Sequence, residues 1–70
     1  MITKGDIVKH KTKDLGVGSV KVHDHPEADV FVEFDKNGKI VRDYFKEGEL
    51  SKFLYYNQES QSPVFEEEER

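Results

Sequence analysis

Asn37-Gly38 constrains this chain more than any other pair of residues, because it stands between two runs whose apolar and polar side chains alternate. Both residue types tolerate the positive φ angles of a two-residue primed turn, whose twist matches that of the strands it joins. Before the turn, Val30, Val32 and Phe34 share one face while Asp29, Phe31, Glu33 and Asp35 share the other. After it, residues 40–45 form the returning strand. The segment reads as an antiparallel hairpin with one face turned to a core and Phe31 turned away from it.

The period of two extends in both directions. Gly5-Asp6 opens a first strand, Ile7-Val8-Lys9-His10, and the loop after it ends at Gly16. Gly16 and Gly18 mark a bend or bulge where side chains would otherwise crowd one face of a strand. The second strand, about residues 17–23, places Val20 and Val22 on one face and Ser19 and Lys21 on the other. Pro26 cannot donate to a ladder and holds His25 extended, so the pairing ends in a turn at Asp24-His25-Pro26-Glu27. Lys46-Glu47-Gly48-Glu49 reads as a short or single 3₁₀ turn, and residues 50–54 as a last short strand. With five short strands and no segment long and periodic enough for a helix, the chain is all-β, and closure into a five-stranded small barrel best removes exposed edges.

Composition sets the limits of this reading. Seventy residues allow one domain, and a core of that size only narrowly outweighs chain entropy. The absence of cysteine excludes a disulfide framework and a thiolate zinc site, so a reducing, cytoplasmic setting is expected. Residues 1–5 lack the apolar run of a signal peptide, and no apolar stretch approaches the roughly 20 residues that span a bilayer, so no membrane partner is expected. The formal charge of −4 divides as +2 over residues 1–25, −2 over residues 26–56 and −4 over residues 57–70. Residues 1–56 are therefore taken as the barrel and residues 57–70 as a flexible, disordered acidic tail, with Val64-Phe65 its one apolar island.

The run Gly5-Asp6, Val8, His10, Leu15-Gly16, Gly18 and Val20 resembles the opening of SH3-like, Tudor-like domains in bacterial transcription and repair proteins. These are the C-terminal domain of UvrD/PcrA-type helicases, the RNA-polymerase-interacting domain of CarD-family regulators and the N-terminal domain of the RapA ATPase. Val32-Glu33-Phe34 with Gly38, and later Leu50 and Phe53, fill the remaining places of the pattern, so the resemblance covers residues 5–54. The loop between His10 and Gly16 departs from it, lacking the usual proline and running longer than in the CarD pattern. The resemblance implies an SH3-like barrel that docks on RNA polymerase or another transcription protein of a bacterium or phage.

Candidate residues follow from chemistry. His23 and His25, with Glu27, gather imidazole and carboxylate near one end of the barrel, but a polar turn beside a proline is the commoner origin of such a cluster, so no metal is expected. No serine lies in a nucleophile-elbow pattern and a filled small barrel leaves no substrate cavity, so neither an enzyme nor a cofactor or small-molecule substrate is expected. Phe31, Glu33, Arg42 and Tyr44 point away from the core of the hairpin and are the candidate protein-binding residues. The edge of the third strand offers backbone groups for strand addition by a partner. The alternative is nucleic-acid binding through Lys9, Lys11, Lys13 and Lys21, against which the near-neutral charge of residues 1–56 argues.

Overall fold

The structure, a computed structural model, describes residues 1–66. The alternating runs become β1 (Ile7–His10), β2 (Val17–Val22), β3 (Val30–Lys36), β4 (Lys39–Phe45) and β5 (Leu50–Tyr56), with a 3₁₀ turn at Glu47–Glu49 and a further strand, β6 (Pro63–Phe65). Neighbours pair antiparallel in the order β4-β3-β2-β1-β5-β6. The chain is all-β, and among the described residues there is no α-helix and hence none long and apolar enough to cross a membrane.

The expected five-stranded closed barrel is not what the described residues form: they make an open sheet of six strands. The sixth strand pairs with β5 and so takes the edge that closure against β4 would use. The sheet still bends strongly. His10 on β1 and Phe45 on β4 are separated by two strands in the sheet order, yet their rings lie 5.6 Å apart, and Phe45 meets Phe34 edge-on at 5.2 Å. The concave side holds the core of Ile2, Val8, Val20, Val30, Val32, Phe34, Phe45 and Leu50, with Leu15 and Val41 packed against it.

At the hairpin, Asn37 (φ 54°) and Gly38 (φ 90°) make the turn, Lys36 faces Lys39, and the Gly38 N–H donates to Asp35 Oδ1 at 2.9 Å. Val30, Val32 and Phe34 are fully buried, as alternation requires. On β2 the alternation breaks. Val20 faces Val32 but Val22 faces Phe31, so Lys21 is an extra, bulged residue. Val22, expected to share the buried face of Val20, is therefore carried to the convex side and is 43% exposed.

The tail expected from residue 57 is a second hairpin over its described part. The Asn57 N–H donates to the Ser62 carbonyl, the Gln61 N–H donates to the Asn57 carbonyl, and Asn57 Oδ1 accepts from the N–H groups of Glu59 and Ser60. Phe65 then lies buried against Phe53 at 5.7 Å, with Lys9 Nζ 5.2 Å from its ring centroid. One apolar ring and a self-bonded turn order a segment whose composition alone reads as solvated. Residues 67–70, which complete the acidic run, lie outside the described residues.

Candidate functional site

The register of the ladder decides which side chains stand together on the convex face. Tyr44, Phe31 and Val22 form one row across β4, β3 and β2; Arg42, Glu33, Ser19 and Ile7 form the next; Ile40, Asp35, Val17 and Lys9 the third. All four residues expected to bind protein are thus neighbours. Phe31 and Tyr44 tilt against each other with ring centroids 4.8 Å apart, and Arg42 Nε reaches Glu33 Oε1 at 3.3 Å. Tyr44 is 61% exposed and Ile40 41% exposed, while Phe31 is half-covered between its neighbours. Phe31 and Phe45 do not share a side, since Phe45 faces the core with Phe34.

Sequence reading missed Val22. Its strand alternates cleanly up to the bulge, and nothing in the residues themselves announces an extra one at Lys21. The bulge converts a core valine into the third member of an apolar row, which with Tyr44 and Phe31 crosses three strands.

The edge of β3 is not open for strand addition, because β3 is paired with β2 on one side and β4 on the other. Among the described residues the edges are β4 and β6.

The four lysines are dispersed. Lys9 and Lys13 line one groove of about 300 Å³ with His10, Asp14, Val17, Pro63 and Phe65, whereas Lys11 lines another with Glu47 and Glu66. Lys21 sits four residues along β2 from Val17, the partner of Lys9, a separation of roughly 13 Å at about 3.3 Å per residue. Asp14 adds a carboxylate to the Lys9 and Lys13 groove and pairs with Lys36.

His10 and His23 each have a structural place. The backbone N–H groups of Thr12 and Lys13 donate to His10 Nδ1 at 3.1 and 3.0 Å, which organises the loop after β1 around a buried ring. His23 Nδ1 lies 2.6 Å from the Ile2 carbonyl and therefore carries the proton, while its buried Nε2 has no partner among the described residues. His23 follows the end of β2, so strand alternation does not aim it with His25, and no group of three or more metal-ligating side chains occurs among the described residues.

Among the described residues one carboxylate has a clearly displaced titration. Burial pushes the Asp6 carboxyl up, but the Thr3 N–H bond (2.8 Å) and the Lys52 ammonium (3.5 Å) outweigh it and hold the group below the usual aspartate range. It ties the segment before β1 to β5.

Comparison with protein-family models, with curated proteins and with solved structures finds no match.

Proposed function

We propose that this chain is a non-catalytic protein-interaction module of SH3-like type that works in the cytoplasm by docking on RNA polymerase or another transcription or repair protein. The observation that carries the reading is the Phe31–Tyr44 pair, two aromatic rings 4.8 Å apart on the convex face, outside the core and flanked by Val22. Aromatic side chains supply large contact area at small entropic cost, and the adjoining Glu33 and Arg42 give such a patch a polar border. The antiparallel order β4-β3-β2-β1-β5, the strong bend and the 3₁₀ turn before β5 are compatible with the SH3-like part of the reading. The choice of polymerase rests on the resemblance of residues 5–54.

Size decides the strength of the contact. Four strands at about 4.8 Å spacing and seven residues at about 3.3 Å give a face on the order of 450 Å², against roughly 800 Å² per partner in a standard stable complex. Docking through this face alone is therefore transient. Titration of labelled chain with purified bacterial RNA polymerase should show weak, saturable binding that Phe31→Ala or Tyr44→Ala reduces by about tenfold, with little dependence on salt. No binding to polymerase at any concentration removes polymerase as the partner, and Phe31→Ala binding like the wild type refutes the convex face as the docking surface. A steep loss of affinity with salt for oligonucleotides, abolished by Lys9→Gln with Lys13→Gln, would favour the lysine groove instead.

A further inference from the structure

The free edge of β4 is self-complementary. Lys36 and Lys39 close the two-residue turn, and the closing pair of such a hairpin exchanges both of its hydrogen bonds. Alternation then turns the N–H and C=O groups of Val41, Asp43 and Phe45 toward β3, and those of Ile40, Arg42 and Tyr44 outward. The Tyr44 N–H agrees with this, since it is met at 2.7 Å by the carboxylate of Asp43 and not by β3. Ile40 and Arg42 form the open part of the edge, and Lys39, Ile40, Arg42, Asp43 and Tyr44 are all exposed.

We propose that a second copy of this chain occupies this edge, β4 against β4, antiparallel about a two-fold axis at Val41. Paired residues in a continued sheet must lie on the same face, which restricts a symmetric pairing to one centred on a residue of the strand. Centred on Val41, Lys39 of each copy stands opposite Asp43 of the other, and Ile40 and Arg42 exchange main-chain hydrogen bonds with Arg42 and Ile40 of the second copy. The lysine–aspartate pairs fall at non-hydrogen-bonded positions, where side chains approach most closely. Centring on Arg42 or on Asp43 sets that residue against its own charge, and centring on Ile40 runs into the Asn37-Gly38 turn. Among these registers only the one at Val41 pairs opposite charges. The Asp43 carboxylate over the Tyr44 N–H marks where the shared ladder stops. The convex faces of the two copies become one continuous surface, with a Tyr44–Phe31–Val22 row at each end.

Sedimentation velocity and concentration-dependent amide shifts test this. Wild type should dimerise weakly, with a Kd in the range of about 10–1,000 μM expected of a contact below about 1,200 Å², and the shifts that move with concentration should centre on the amides of Ile40 and Arg42. Asp43→Lys and Lys39→Asp each replace both attractive pairs by repulsive ones, so each alone should associate about tenfold or more weakly. An equimolar mixture of the two variants restores opposite charges at both positions and should associate within about threefold of wild type. A wild type that stays monomeric to about 2 mM overturns the proposal. So do concentration-dependent shifts lying away from β4, or a mixture that associates no better than either variant alone.

Discussion

Replacing Gly18 by alanine tests whether the bent sheet is held open at one point by the absence of a side chain. Gly18 lies on the concave side of β2, between Val8 and Phe34 in the register. A Cβ built there would come within 2.7 Å of Phe34 Cδ1, 2.8 Å of Val32 Cγ1 and 3.0 Å of the Glu33 carbonyl oxygen. Ordinary contacts begin near 3.4 Å, so three groups must withdraw by several tenths of an ångström, and Phe34 and Val32 are fully buried with nowhere to go. Overpacking of this kind costs about 1–3 kcal/mol, partly offset by the ~0.4–1 kcal/mol that alanine removes from the entropy of the unfolded chain. The net is about 1–2 kcal/mol, or roughly 4–16 °C in Tm for a domain of this size. Gly48→Ala is the matched control, since nothing lies within 4 Å of its Cβ position and its φ is not in the left-handed region. Thermal and urea melts followed by circular dichroism should show Gly18→Ala clearly destabilised and Gly48→Ala unchanged or slightly stabilised. A Gly18→Ala protein as stable as wild type would mean that β2 and β3 do not pack as described.

Phe65→Ala should detach the second hairpin without unfolding the sheet, because Phe65 packs with Phe53 and Lys9 and stands outside the main core cluster; native-state hydrogen exchange should lose protection at residues 57–66 and keep it at β1–β4, and a cooperative loss across the whole sheet contradicts this separation. Asp6 contributes stability that is complete above the ordinary aspartate pKa of about 3.9 and is lost as pH falls through its lower folded value. Acid melts should therefore show wild type losing an increment as pH falls below about 4 that Asp6→Asn lacks, and identical acid profiles of the two proteins would refute the assignment.

Residues whose fate is set by their immediate neighbours were legible in the sequence, and those set by pairing at a distance were not. Asn37-Gly38 carries its own turn geometry, so the hairpin, its register and the outward position of Phe31, Glu33, Arg42 and Tyr44 all follow from the adjacent residues 30–45. Val22 obeys the same alternation but not the same outcome. At that end of the sheet the N-terminal segment is bound to β2, through Gly5 N–H to the Val20 carbonyl and Val20 N–H to the Asp6 carbonyl, and Ile2 is buried in the core cluster that Val22 was expected to join. An apolar group from 20 residues upstream takes a place in the core, and the valine at the strand end is released by the bulge to the convex face. β6 is hidden in the sequence for a related reason: its one buried ring, Phe65, meets Phe53 of β5 and Lys9 of β1, two strands that are distant in sequence and paired in the sheet. Lys9, Lys11 and Lys13 are close in sequence, yet the loop folded around His10 sends Lys11 and Lys13 to different grooves. In a chain with so few apolar residues, leaving Val22 and Tyr44 exposed beside a half-covered Phe31 forgoes part of a burial worth about 1.5–3 kcal/mol for each large side chain fully buried. That forgone stability is the physical ground for reading the convex face as a surface that meets another molecule.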